Sequence, residues 1–297
     1  MRIKKVIVVY KKSAYQVYAR ERRNPHFLKL IRDSHPVARR FIPSHQIHED
    51  SLKQVREILK KRGISIFLVY RARVFEEKGV DLILTVGGDG TFLDASHKVF
   101  HCPILGLNSS PQDSVGLFCG TTVDQLGETL DAIKMDQVSI IEMARLKVLI
   151  GHEPISVPVL NDVLISQTNP AATSRFIISW KGKEEEQKSS GIWVAPAAGS
   201  TAAIRGAGGK LLPIRSQQFQ FVVREPFLVP GKKCFLTKGI LKSNEKLVVY
   251  SKMRSGGVYV DGPYGFQPVR VGEKIVISAN APKLCVLAFN QKRRSQF

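Results

Sequence analysis

The 297-residue sequence is poor in cysteine: Cys102, Cys119, Cys234 and Cys285 are its four, and no two form a CxxC pair. Their scatter excludes a disulfide framework and fits no zinc site, so reduced thiols are expected. No apolar run approaches the ~20 residues that a membrane helix needs. The apolar stretch VIVV (6–9) is too short for a signal-peptide core, and no small-residue cleavage pattern follows it. These absences predict a soluble, cytoplasmic chain with no membrane partner. Acidic residues are the scarcer charge: 25 Asp plus Glu face 45 Lys plus Arg, a formal charge of +20. The excess favours anionic partners without choosing among nucleotides, phosphates, nucleic acid and acidic membranes. No helix-turn-helix, RRM-type or KH-type signature occurs, so nucleic acid is not the expected partner. A Walker A loop and a GxGxxG fingerprint are both absent. There is no internal repeat and no low-complexity segment.

Hydrophobic residues make up 43% of the chain, with 15 Phe, enough for a sizeable core. The length suits two modest domains or one large one. KKVIVVYKK (4–12), which is rich in β-branched residues, ISIFLVYR (64–71), DLILTVGG (81–88) and PILGLN (103–108) are short apolar runs. They read as buried parallel strands. HEDSLKQVREILKKRG (48–63) has helical apolar spacing at Leu52, Val55, Ile58 and Leu59, with Gly63 as a stop. TFLDASHKVF (91–100) reads as a helix beginning just past the glycines. Alternating strand and helix predicts an α/β, doubly wound N-terminal domain over 1–125. Beyond it, short β-like runs follow one another with little helix between: ARLKVLIG, VPVLNDVLIS, SRFIISWKG, GIWVAPA, FQFVVREP, KLVVYSKM, GGVYVDG, KIVISA and KLCVLAF. They predict a mainly β, sandwich-like C-terminal domain over 126–297, whose basic tail QKRRSQF is expected to fray or to return to the first domain.

The glycine-rich turn Gly87-Gly88-Asp89-Gly90 falls at the carboxyl end of a strand, where ligands bind in open α/β sheets. Bare backbone before a helix start can turn its N–H groups toward an anion. An acid in that place repels phosphate unless it has a task, such as taking a proton from an attacking hydroxyl or helping to hold Mg²⁺. Asp is equally at home at a helix N-terminus, so local chemistry leaves a turn or cap role and a catalytic role both open.

GGDGTF (87–92) resembles the signature loop of NAD kinases. Diacylglycerol and sphingosine kinases share its GGDGT core, and 6-phosphofructokinases carry a close relative. Three later stretches resemble further NAD-kinase segments in order and spacing: LNDVLIS (160–166), SSGIWVAPAAGSTAAIRGAGG (189–209) and VYVDGPYGF (258–266). NSSPQDSVGLFC (108–119), QKSSGIWV (187–194) and VVREPF (222–227) are similar to the branch that includes the animal mitochondrial enzyme, and the absence of a transit-like start points to a bacterial relative.

The resemblance implies that Asp89 is the general base on the ribose 2′-hydroxyl of NAD. It implies that Gly87, Gly88, Gly90, Thr91 and Phe92 belong to the nucleotide and phosphate site. Asn161 and Asp162 match the ribose-binding pair, and Thr201 and Ala202 match a pair lining the NAD pocket. Lys188 and Ser190 fall at nucleotide-contacting positions. Each has a plainer reading: Asn161 and Asp162 as a turn cap, Lys188 as a solvated charge, Thr201 as a helix cap. Ser190 stands where the family usually has Asp, and Ala203 and Gly206 replace an aromatic and a Ser. The implied substrates are NAD and ATP or polyphosphate, with Mg²⁺ accompanying ATP and a homo-oligomer as the assembly. A lipid kinase of the diacylglycerol or sphingosine type and a non-catalytic nucleotide-binding relative remain as alternatives.

Overall fold

A computed structural model describes residues 1–227 and 234–296. They form two compact units, Met1–Ile141 with Cys285–Gln296, and Glu142–Leu284.

In chain order the first unit contains β1 (Lys5–Tyr10), α1 (Pro25–Arg32), α2 (Phe41–Lys61), β2 (Ser65–Tyr70), β3 (Leu82–Gly87), α3 (Asp89–Ser96), β4 (Ile104–Asn108), β5 (Cys119–Thr122) and α4 (Leu126–Lys134). Its strands run parallel in the order β2-β1-β3-β4, with β5 also pairing β4. Val6, Val8, Leu84 and Leu107 point to one face, where α2 supplies Val55 and Leu59 and α4 supplies Leu126 and Leu130. α3 covers the other face, and its Phe92 sits against Gly106 of β4. Helices on both faces make the sheet doubly wound, and β1, β3 and β4 are accordingly mostly apolar.

Three details depart from the sequence reading. β2 is the edge of the sheet, with Phe67 54% and Leu68 44% exposed, so it is not a buried strand. α2 begins seven residues before the apolar pattern, at Phe41, and short helical turns with α1 precede it. α4 follows residue 125, where little helix was expected. Its Leu126, Leu130 and Ile133 are spaced at i, i+4 and i+7, the signal of one buried helical stripe.

The second unit takes most of β6 (Ile140–Ile150), then β7 (Glu153–Pro154), β8 (Val163–Gln167), β9 (Ser174–Trp180), β10 (Lys183–Ser189), β11 (Gly191–Pro196), α5 (Ala203–Gly206), β12 (Phe219–Arg224), β13 (Lys238–Leu241), β14 (Lys246–Ser251), β15 (Gly256–Val260) and β16 (Gly265–Val269). It ends within β17 (Lys274–Leu287), which merges the KIVISA and KLCVLAF runs into one strand. One antiparallel sheet has the order β13-β12-β11-β8-β15-β16, and β10-β9-β14-β17 pair in another. Alternate residues of both sheets, among them Ile165, Val194, Phe221, Val258, Phe176, Ile178, Val249 and Ile277, fill a single core. That is a β-sandwich, as the alternating runs predict. β10 escapes a hydrophobic reading because its sequence is KEEEQKS. It is a strand by pairing: Lys181 (φ 52°) and Gly182 (φ 72°) make a two-residue hairpin turn that folds it onto β9.

The basic tail is helical over part of its length. α6 (Gln291–Arg294) belongs to the first unit, capped by Asn290 Oδ1 accepting from Arg293 N. The last residue, Phe297, lies outside the described set.

Candidate active site

β3 is buried along its whole length and delivers Gly87 to the carboxyl edge of the parallel sheet. Gly88 is extended and caps α3, and Asp89 is the first helical residue. The helix therefore opens two residues earlier than Thr91, because Asp is favoured in a first turn and Gly90 is tolerated at a helix start. The backbone is bare for a reason at Gly87: a Cβ there would lie 2.2 Å from Thr91 Oγ1. That hydroxyl is buried and has no hydrogen-bond partner among the described residues. Phe92 is fully buried and stacked on Phe118, centroids 5.2 Å apart, so it supports the turn from beneath. Gly90 is exposed; Thr91 N and Phe92 N both donate to Gly88 O, at 3.0 and 3.2 Å, so the amides of Asp89 and Gly90 form the open end of α3.

The Asp89 carboxylate is held at both oxygens. Oδ1 accepts from Phe118 N at 2.7 Å and Oδ2 from Leu117 N at 2.9 Å. Arg293 fastens the donating loop in turn, since its Nη1 donates to Gly116 O at 2.7 Å and Cys119 O at 3.1 Å. A carboxylate has about four lone-pair sites, so two remain for a substrate proton. The arrangement fixes an acceptor beside an anion-favouring helix start. Cys119, next in the loop, is chemically quiet: burial, then the Asp89 charge, pushes its thiol up to about 12. Burial does the same first for Cys102, also to about 12. His48 is pushed down to about 4, chiefly by burial.

In the second unit Asn161 and Asp162 form the turn before β8. The Asp261 carboxylate organises it by accepting from three successive amides: Leu160 N at 3.1 Å, Asn161 N at 2.7 Å and Asp162 N at 2.9 Å. Asp261 N returns a bond to Asp162 O at 2.8 Å. Gly199 packs on the same turn so closely that a Cβ would lie 1.5 Å from Asn161 O. Asn161 Nδ2 donates to Asp162 Oδ2 at 3.1 Å. Burial, and secondarily the Asp261 charge, pushes the Asp162 carboxyl up to about 7, against the pull of the Gly262 amide. Thr201 and Ala202 follow Gly199 and are partly exposed. Thr201 does not cap α5, which has no side-chain cap. Lys188 and Ser190 line a separate cavity of about 480 Å³ with Arg175, Glu225 and Phe227.

So the structure joins Gly87, Gly88, Asp89, Gly90 and Thr91 in one turn, and Asn161, Asp162 and the Gly199 turn in another. Sequence reasoning passed over Asp261, although VYVDG was on the page as a motif. It also passed over the Leu117 and Phe118 amides, because a backbone donor leaves no residue-type signal.

A glycine turn at a parallel-strand end, opening a helix and carrying a fixed carboxylate, defines the class of phosphate-handling α/β proteins. The comparisons narrow that class. Residues 6–137 match the family model for the ATP-NAD kinase N-terminal domain. The chain is 30% identical to the probable NADH kinase of Oryza sativa subsp. japonica over 281 residues, 86% of each chain. It is 33% identical to the NADH kinase of Arabidopsis thaliana over 265 residues, 81% of this chain and 83% of the relative. An NAD kinase from Archaeoglobus fulgidus, solved with ATP, superposes with a TM-score of 0.68 at 22% identity, covering 99% of this chain and 96% of that one. The chain belongs to the NAD kinase family and is an enzyme of that family.

Proposed function

We infer that the protein transfers the terminal phosphoryl group of ATP or polyphosphate to the ribose 2′-hydroxyl of NAD or NADH. The single observation that carries this reading is the Asp89 carboxylate, pinned by two amides at the mouth of a glycine turn. Asp89 accepts the hydroxyl proton as the 2′-oxygen attacks the phosphorus, and the amides of residues 88–90 face the charge on the transferred group. Asn161 and Asp162 bind the acceptor ribose, and Thr201 and Ala202 line the dinucleotide pocket. Lys188 and Ser190 contact the nucleotide from their cavity. The segments 108–119, 187–194 and 222–227 support placing the chain near the branch of the animal mitochondrial enzyme.

The residues build no metal cage: among the described residues no group of three or more His, Cys, Asp or Glu is placed to hold a metal ion. They fit Mg²⁺ carried by ATP, because Mg²⁺ binds through substrate phosphates and water with one or two carboxylates. Asp89 is the acid on the phosphate turn that would face it. Bound there, Mg²⁺ supplies neutralisation of phosphate charge.

The test is an NADP-formation assay on purified protein, with ATP and polyphosphate compared as donors and NAD⁺ and NADH as acceptors. Formation of NADP or NADPH from at least one pairing is expected. Turnover of none refutes the reading.

A further inference from the structure

The carboxyl ends of β1 and β2 bring two more cations to the edge that carries the glycine turn. Lys11 follows β1 and Arg71 follows β2, in a sheet whose order is β2-β1-β3. The Arg71 guanidinium reaches the turn itself: its Nη1 would lie 3.5 Å from a Cβ built on Gly90. Its Nε is engaged by Asp94 Oδ2 at 2.9 Å, which orients the group and leaves both Nη atoms without a bond among the described residues. The Lys11 ammonium is half-buried and makes no hydrogen bond or ion pair among those residues. Asp113, the acid whose charge acts on it, is already taken by Arg40, Ser110 Oγ and Ser44 Oγ. Burial and the nearby Arg71 charge both push the Lys11 ammonium down. A half-buried cation beside a second cation is an arrangement that an anion between them relieves. The buried Thr91 hydroxyl beneath the turn is a further polar group there with no partner among the described residues.

We propose that Arg71 and Lys11 form a subsite for the phosphate chain of the phosphoryl donor, whether a nucleoside triphosphate or inorganic polyphosphate. The subsite rests on the kinase reading for its purpose, but its ligand is a polyphosphate chain by charge and geometry alone. Arg71 supplies two parallel N–H donors suited to phosphate oxygens, and Lys11 supplies a point charge. Asp94 holds Arg71 in place and does not touch the donor.

Equilibrium binding of ATP and of polyphosphate, measured by calorimetry, tests it on the wild type, Arg71→Met, Arg71→Lys, Lys11→Met and Asp94→Asn. Donor and NAD KM values are read alongside. Arg71→Met and Lys11→Met should each weaken donor binding on the order of tenfold to a hundredfold, with KM for NAD unchanged. Arg71→Lys should recover part of the loss. Asp94→Asn should leave donor affinity equal or higher. Equal weakening of both donors identifies the bare phosphate chain as the ligand; weakening of one alone identifies that source. Donor affinity within twofold of wild type in both Met variants overturns the proposal. So does an Asp94→Asn loss equal to that of Arg71→Met, since the ion pair alone then explains Arg71. Failure of the wild type to bind either donor also overturns it. A wild type that binds donor yet forms no NADP sinks the kinase reading, while the same binding series still decides the subsite.

Discussion

Replacing Asp89 by Asn separates the chemistry of the carboxylate from its place in the fold. The native side chain accepts N–H bonds at both oxygens, at 2.7 and 2.9 Å. An amide accepts at one atom and donates at the other, so the Leu117 or Phe118 N–H must face an NH₂ group. Losing one charge-assisted bond costs about 1.5–3 kcal/mol, equivalent to a fall of roughly 3–12 °C in Tm. The catalytic loss is larger, since a positioned general base contributes about 10²–10⁴-fold. Thermal unfolding gives the first quantity, and kcat at saturating NAD and ATP, well below the variant's Tm, gives the second. Arg293→Met is the matched control: it removes the bonds to Gly116 O and Cys119 O and loosens the same loop, yet keeps the carboxylate. It should lower Tm while keeping most of kcat. Wild-type kcat in Asp89→Asn would refute the base assignment. Equal kcat losses in the two variants would reduce Asp89 to a loop anchor.

Three further outcomes follow from the second unit. Gly199→Ala places a Cβ where the Asn161 carbonyl stands, 1.5 Å away, so the turn must move; NAD affinity should fall at least tenfold by equilibrium binding, while ATP affinity stays. Asp261→Asn leaves at least one of three amides without its acceptor, which should raise KM for NAD and destabilise the protein by about 1–3 kcal/mol in urea unfolding. Asp162 has its carboxyl raised from the ordinary 3.8 to about 7. Its protonated form is therefore favoured in the folded state: the stability it contributes is full below about pH 4 and is lost as pH rises through about 7. Tm of the wild type should decline relative to Asp162→Asn between pH 5 and 8, and parallel pH profiles would contradict this.

Much of the fold was legible because its determinants are local. β1, β3 and β4 announce themselves as short, nearly continuous apolar runs, since a parallel strand covered on both faces has no polar side to show. β2 carries the same kind of sequence yet lies at an edge, because apolar content fixes a strand and not its neighbours. β10 was hidden for the opposite reason: KEEEQKS becomes a strand only by pairing with β9. In the site, Asp89 stood out as an acid among glycines. The groups that hold and complement it did not. Leu117 and Phe118 act through backbone amides, Arg293 arrives from the far end of the chain, and Arg71 reaches the turn, with Lys11 within reach of its charge, only through sheet order. Asp261 is separated from Asn161 by 100 residues and reveals its task only in the folded turn.

The central claim is that the acceptor atom is the 2′-oxygen of the dinucleotide ribose. Phosphorus-31 NMR of the product formed from ATP and NAD by the purified protein reads that atom directly. The account predicts one new phosphomonoester resonance, coupled to the ribose 2′ proton, growing as ATP is converted to ADP. A phosphate at any other position, or ADP accumulating with the dinucleotide unchanged, would contradict it.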